Sequence, residues 1–469
     1  METLRWPLRA TYSICPVCHR RIPAQQVQRD GQVFLEKHCE QHGAFSTVIW
    51  RNRRDLQSWR GAAPAIRSGE NEQCPHACGL CPSHLRDTCC TLLEVTKRCN
   101  LHCTFCFAQG EQQGEDRPFE QIVQDLHALA KPGQTLVQLS GGEPTVRDDL
   151  PAIVHAARGA GCRYVQLNTN GIRLAQDQSY VAALKEAGLS FVFMQFDGVD
   201  DEVYCALRNQ PLFALKRQAI ANCAAYNLGV TLVPTLVPGV NTHQVGDILR
   251  FAVQHAPAVR GVHFQPVSYF GRTPHAPTDA QRYTLDELLY ALYAQTVHPL
   301  PQDSLRPSCC DHPLCGFHGD YVVLPDGALW PLQHATACCD EEEPVHACCE
   351  EPAQATQYSC CGNTGKPMVD EAEKVWRAAQ NRAFVARRWE RVVPQGEAQP
   401  TEPLNPQDWE LEAFLQRVHS HGFTVTSMAF QDAWNLDLER LRQCSLHVYE
   451  DGRFVPFCAY YIGLGRERG

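Results

Sequence analysis

From Thr91 to about Gln265 the chain alternates short, β-prone apolar runs with longer stretches whose apolar residues recur at helical spacing. Six runs read as strands: Leu92–Thr96, Thr135–Leu139, Tyr164–Leu167, Phe191–Phe196, Gly229–Pro234 and Val262–Gln265. Between the first two, Phe119, Ile122, Val123, Leu126 and Leu129 form a stripe at steps of three and four, and Asp148 and Asp149 ahead of Leu150 and Pro151 mark a helix start. Strands alternating with helices predict an α/β fold with a parallel sheet, and six units fit an open, partial (β/α)6 barrel. Sites on such barrels lie at the C-terminal ends of the strands. Polar residues and glycines collect at those ends: Gly141, Gly142 and Glu143 after the second strand, Asn168–Gly171 after the third, Gln195 and Asp197 after the fourth. Leu236–Asn241 follows the fifth, and His263–Pro266 closes the sixth. Any one of these polar residues is also readable as a loop cap; their common placement is what points to a site.

The C-terminal third loses this rhythm. A helical pattern at Leu285–Val297 gives way to an irregular, cysteine-rich stretch with an acidic segment between Asp340 and Glu351. Helical patterns resume at Glu371–Arg391 and Gln407–His419, and Asp451-Gly452 between two apolar runs signals a hairpin. Residues 51–70, polar with Gly, Ala and Pro, read as a linker. The expected organisation is an N-terminal zinc- or rubredoxin-like metal knuckle over 1–60, an auxiliary iron–sulfur segment over 71–90, the barrel over 91–300 and a Cys-rich α+β extension over 301–469.

Bulk numbers narrow the class. The 469 residues, 44% hydrophobic and 20% charged, suit a catalytic core with additions at both ends. A net charge of −10 argues against a nucleic-acid surface. The first residues show no signal-peptide h-region, and no stretch approaches the roughly 18 apolar residues of a membrane span. The expectation is a cytoplasmic, oxygen-sensitive protein, not transmembrane. Twenty-five cysteines in such a chain point to metals or redox chemistry rather than to a disulfide framework.

Those cysteines fall into groups. Cys15 and Cys18 form a C-x2-C knuckle, and with Cys39 and His42 they supply a tetrahedral set for zinc or a single iron, His38 competing as the fourth ligand. Cys18-His19 also completes a haem c attachment pattern, but that attachment normally needs export. Free buried thiols are the plain alternative. Cys74, Cys78 and Cys81 follow at C-x3-C-x2-C spacing, with Cys89 or Cys90 as a fourth thiolate; a fully ligated cluster suits electron transfer or structure, and a structural zinc site competes. Cys99, Cys103 and Cys106 repeat the spacing directly after the first strand. Three thiols leave one iron of a four-iron cluster open to a further ligand; a zinc site or a disulfide knot are the competing readings. At the far end, the hairpin is expected to bring Cys444 and Cys458 together to join Cys310 and Cys315 in a third cluster, the alternative being that Cys444 and Cys458 are ordinary buried thiols. The vicinal pairs Cys338-Cys339, Cys348-Cys349 and Cys360-Cys361 read equally as metal ligands, redox disulfides or an electron port.

The second C-x3-C-x2-C loop, with Phe105 before its last cysteine and Gly141-Gly142-Glu143-Pro144 downstream, resembles the radical S-adenosylmethionine (SAM) superfamily. Longer stretches, among them Leu139–Leu150, Gln166–Gly171, Val233–Asn241, His263–Ser268 and Val455–Cys458, look like the tetraether lipid synthase-like subgroup and its bacterial relatives, including the radical SAM (seleno)protein TrsS group. The resemblance spans nearly the whole chain. It implies a 4Fe–4S cluster on Cys99, Cys103 and Cys106 that chelates SAM. Phe105, Gly141, Gly142, Glu143, Asn170, Gln195 and Asp197 would then lie around the cofactor. It also implies one or two auxiliary 4Fe–4S clusters and a reducing protein such as ferredoxin or flavodoxin. One-electron cleavage of SAM to a 5′-deoxyadenosyl radical, with hydrogen abstraction from an enclosed substrate, is the chemistry expected. The substrate does not transfer. Against an enzyme stand a non-catalytic iron–sulfur carrier or scaffold, a zinc-rich adaptor, and, within the family, a peptide or cofactor maturase.

Overall fold

The computed structural model describes residues 5–60, 74–296, 300–332, 389–390 and 409–464, apart from 77, 80, 82, 302 and 309. Cys309, the three vicinal pairs, the acidic 340–351 segment and most of the helical pattern at 371–391 lie outside the described residues.

Four strands open the chain, β1 (Arg5–Ile14), β2 (Arg21–Arg29), β3 (Gln32–Cys39) and β4 (Gly43–Trp50), paired in order as an antiparallel meander. Their turns sit at the cysteine knuckle and at Asp30-Gly31, both of which adopt positive φ. The six apolar runs then become β5 (Cys90–Thr96), β6 (Leu136–Gly141), β7 (Tyr164–Thr169), β8 (Phe191–Gln195), β9 (Gly229–Val233) and, after a short β10 (Thr235–Leu236), β11 (Val259–Pro266). The six pair in parallel and in sequence order. Each lies among helices that bury one face, as parallel strands require. The helix Phe119–Leu129 buries Ile122, Leu126 and Leu129, the predicted stripe, with Phe119 and Val123 half-exposed at its margin. Asp149 stands at the predicted start of helix Leu150–Gly159 but caps nothing; its carboxylate takes Arg147 instead, at 2.6 and 2.8 Å.

The C-terminal strands do not form a sheet of their own. They are β12 (Arg306–Pro307), β13 (Gly316–Val323), β14 (Leu329–Pro331), β15 (Gly422–Met428), β16 (Leu446–Glu450) and β17 (Arg453–Pro456). Among the described residues the continuous order is β12-β13-β15-β11-β9-β8-β7-β6-β5-β16-β17, with no closure into a barrel. At one edge β15 runs parallel to β11 and antiparallel to β13; at the other β16 runs parallel to β5. Asp451 and Gly452 take φ of 50° and 76° and turn β16 into β17, the hairpin the Asp-Gly pair predicts. The chain doubles back into the short helix Phe457–Ile462.

The N-terminal meander is fixed against this C-terminal segment by polar contacts. Asp437 accepts hydrogen bonds from Thr11 at 2.7 Å and Gln26 at 2.9 Å, Arg9 pairs with Glu439, and the buried Lys37 donates to Ser13 Oγ (3.0 Å) and the Ala433 carbonyl (2.8 Å). On its other side Asp286, fully buried, accepts from the backbone N–H groups of Arg51 and Arg53. Among the described residues no helix is long and apolar enough to cross a membrane.

Candidate active site and metal centres

The loop after β5 leaves the sheet at Thr96 and is pinned on every side. Cys99 N–H donates to the Glu111 carbonyl (2.9 Å) and Thr104 N–H to that of Leu207 (3.0 Å). Cys106 and Arg272 exchange both backbone bonds, at 2.9 and 3.0 Å, while Arg272 Nε reaches the Cys103 carbonyl. Backbone bonds thus hold all three thiols, and the Cys99 sulfur itself accepts from Leu101 N–H at 3.4 Å. Cys99, Cys103 and Cys106 all line one cavity of about 340 Å³ at the C-terminal ends of the parallel strands. Burial pushes the Cys99 thiol up to about 12, and the charges of Glu143, Cys103 and Cys106 act in the same direction. A thiol so desolvated as Cys99 becomes a thiolate only beside a strong cationic centre, which the irons of a cluster would supply.

Gly141, Gly142 and Glu143 meet this loop directly. Gly141 has φ of +139°, and a Cβ there would stand 2.2 Å from the Thr96 carbonyl oxygen; at Gly142 it would stand 2.2 Å from that of Arg98. The glycines let β6 close on the cysteine loop, with Gly142 N–H on the Thr96 carbonyl and Glu143 N–H on that of Arg98, both at 2.8 Å. The Glu143 carboxylate is buried and accepts four bonds, from Thr145 N–H and Oγ1, Thr169 Oγ1 and Asn170 N–H, at 2.6–3.0 Å. It clasps the end of β6 to the end of β7. Asn170 carries the clasp onward, donating from Nδ2 to Asn100 of the cysteine loop at 2.7 Å.

At the next strand end the sequence reading needs adjustment. Asp197 does not line the cavity; it lies behind the wall, fully buried, in a bidentate pair with Arg208 at 2.7 and 2.8 Å. Against burial, which favours a neutral group, Asp197 and Cys103 hold the Arg208 guanidinium protonated. Arg208 is the residue at the cavity wall, and Gln195, with its amide turned to present the carbonyl oxygen, accepts from it at 2.7–3.0 Å. Neither Arg208 nor the buried Lys216, whose ammonium donates to the Asn170 carbonyl, was identified from sequence. Their signal was a cation on the apolar face of a helix: Val203, Tyr204 and Leu207 are the buried neighbours of Arg208. Phe105 lines the same cavity and packs edge-on to Tyr269.

Away from the cysteine loop the cavity is walled by Phe193, His263, Phe317 and Trp389, with Gln138 and Asn168 among the polar groups at the strand ends. Trp389 stands edge-on to Phe193, ring centres 4.6 Å apart. Burial pushes His263 down to about 4, so its imidazole is neutral near pH 7, with Nδ1 2.8 Å from Thr426 Oγ1.

The remaining cysteines separate into three places. In the meander, the ligand atoms of Cys15, Cys18, Cys39 and His42 all lie within 4.8 Å of one another. His42 Nδ1 is 3.5 Å from the sulfurs of Cys15 and Cys39, so His42, and not His38, is the fourth member of the group. Cys74, Cys78 and Cys81 border a small recess of their own. Cys89 and Cys90, the fourth thiolates offered by the sequence, border the large cavity instead, together with Cys310. Cys315 and Cys458, buried, and Cys444, half-buried, lie close enough for each to raise or be raised by another's charge, with Asp311 and Arg440 beside them.

Comparison with known proteins agrees with this geometry. The radical SAM superfamily model matches residues 93–252, and a model described as the HMPTM N-terminal zinc ribbon domain matches residues 7–51. The chain is 32% identical to the 7,8-dihydro-6-hydroxymethylpterin dimethyltransferase of Methanocaldococcus jannaschii, over 96% of this chain and 92% of that protein. A probable GTP 3′,8-cyclase of Methanothermobacter thermautotrophicus is 31% identical over 36% of this chain and 55% of its own. Among solved structures, Streptococcus suis SuiB bound to S-adenosylmethionine aligns at 17% identity with a TM-score of 0.35, over 44% of this chain and 47% of that one. The chain belongs to the radical SAM superfamily, and within it to the family of the full-length relative, the pterin dimethyltransferase. The family brings SAM and a 4Fe–4S cluster, and the N-terminal match is to a zinc ribbon over the stretch in which Cys15, Cys18, Cys39 and His42 come together.

Proposed function

We propose that this enzyme is a radical SAM methyltransferase whose substrate is a flat, reduced pterin-type heterocycle. The observation that carries the reading is one cavity that joins the three-thiol loop to a wall of aromatic rings and amide side chains. Cys99, Cys103 and Cys106 would hold the cluster, and the bound cluster and SAM supply a 5′-deoxyadenosyl radical by one-electron cleavage. The chain's own residues do the rest. Arg208, fixed by Asp197 and Gln195, sets a positive charge at the wall beside Cys103, where an anionic group of the cofactor is stabilised. Glu143 and Asn170 keep the strand ends and the cysteine loop in register. Phe193 and Trp389 give faces and edges for a planar ring, and Gln138 and Asn168 give the amide donors and acceptors that a pterin edge pairs with. The apolar lining excludes water from a radical that would otherwise attack indiscriminately.

In this reading Cys74, Cys78 and Cys81 hold one auxiliary cluster, and Cys315, Cys444 and Cys458, with Cys310 at the cavity wall, a second. A cytoplasmic ferredoxin or flavodoxin supplies the electrons. A non-catalytic electron carrier would have no use for the enclosed aromatic pocket next to the open loop.

The test is anaerobic reconstitution with iron and sulfide, then incubation with SAM, dithionite and 7,8-dihydro-6-hydroxymethylpterin. The expected products are 5′-deoxyadenosine and methionine from one SAM and, with a second SAM giving up its methyl group and leaving as S-adenosylhomocysteine, a pterin heavier by one or two methyl groups, all lost in Cys103→Ala. 5′-Deoxyadenosine without methylated pterin would reject the substrate; no cleavage by a fully loaded enzyme would reject the catalytic reading itself.

A further inference from the structure

The recess at Cys74, Cys78 and Cys81 has three thiols and needs a fourth donor. Cys89 and Cys90 are turned to the large cavity, and Cys89 N–H is tied to the Ser445 carbonyl at 2.8 Å. The fourth ligating side chain at the recess is His84; Leu441 and Arg442 close it. We infer that His84 is the fourth ligand of this metal site, which is therefore a Cys3His centre, with Cys89 left free to serve the reaction cavity. This rests on the reading of Cys74, Cys78 and Cys81 as a metal site.

Three observations support it. His84 N–H closes a turn on the Cys81 carbonyl at 2.9 Å, so the histidine is delivered to the recess by the same loop that carries the thiols. Its segment is locked to the chain behind it: Leu85 N–H donates to the Arg442 carbonyl (2.7 Å) and Arg442 Nε to that of Ser83 (2.8 Å). Finally, His84 Nε2 lies 2.7 Å from the Cys444 carbonyl oxygen, which only accepts. Nε2 must therefore carry the proton, and the lone pair sits on Nδ1, the tautomer a metal-ligating imidazole needs. A carbonyl behind the distal nitrogen is the usual support of such a ligand. Here that carbonyl belongs to Cys444, one of the thiols of the neighbouring group, so a single residue touches both centres.

A neutral imidazole in place of a thiolate removes one negative charge from the centre and raises its reduction potential, as in Rieske clusters. The experiment uses the full-length chain with Cys99, Cys103 and Cys106 replaced by Ala and the ribbon in its zinc form, reconstituted with iron and sulfide. The wild-type recess should show histidine nitrogen coupling to the reduced cluster in pulsed EPR. His84→Cys should keep the iron, lose that coupling and move the potential downward; His84→Ala should lose one centre's worth of metal; Cys89→Ala should change none of these. Nitrogen coupling that is absent, or that survives in His84→Cys, or metal lost in Cys89→Ala but not in His84→Ala, would overturn the assignment. These readouts need neither SAM nor pterin, so they fail or succeed independently of the proposed methyl transfer.

Discussion

At the scale of single residues, Glu143 shows how a motif can be legible while its function is not. The sequence marks it as part of a cofactor segment, yet both carboxylate oxygens are occupied by Thr145, Thr169 and Asn170. Those partners come from two loops that only the folded sheet brings together, and no spacing rule announces them. The same is true of Asp197, whose strand-end position is readable but whose partner Arg208 arrives from a helix. Glu143→Gln leaves an amide N–H2 facing backbone and hydroxyl donors. The expected loss is about 1–3 kcal/mol of stability, measured as a lower urea midpoint, together with reduced 5′-deoxyadenosine formation. A variant as stable and active as the wild type would show that the clasp does not position the loop.

At the scale of elements, the six strands were readable because buried parallel strands are nearly continuous apolar runs and their helices keep one apolar face. What closes them on the cysteine loop was less visible. Gly142→Ala places a methyl 2.2 Å from the Arg98 carbonyl, a backbone atom that cannot swing aside. We expect the variant to reconstitute with less iron at the loop and to lose most SAM cleavage, while zinc in the ribbon is unchanged; iron and zinc analysis of one preparation reads both. The meander offers a second test. Burial pushes Lys37 down to about 7 from its ordinary 10.5, although Asp432 pulls the other way. The unfolded lysine stays protonated up to about pH 10.5 and the folded one only to about 7, so the unfolded state binds more protons in between. Stability should therefore rise with pH from about 7 to about 10.5 and owe no pH dependence to this lysine below about 7. Urea midpoints at several pH values should show this slope in the wild type and its absence in Lys37→Met; an equal slope in both would assign it elsewhere.

At the scale of the whole molecule, the C-terminal third is where sequence told least. Its cysteines and its Asp-Gly turn were recognisable, but strand pairing across such separations depends on which edges stand open after the barrel forms. β15 covers the β11 edge and β16 the β5 edge. A chain ending at residue 300 would expose both, and an open parallel edge is a template for self-association. Such a truncation should aggregate on expression, read by size exclusion; a monodisperse product would mean the six-stranded unit is self-sufficient.

The placement of β16 against β5 also has a consequence in time. The chain emerges from the ribosome N-terminus first, so β5 and the thiols at 99, 103 and 106 are made long before the strand that flanks them. Cys444, Cys458 and the helix whose Tyr461 hydroxyl reaches Glu94 beside that loop are made far later. A nascent chain thus cannot enclose its reactive loop until Tyr461 has been added, and synthesis order itself keeps a half-made enzyme from holding a complete site.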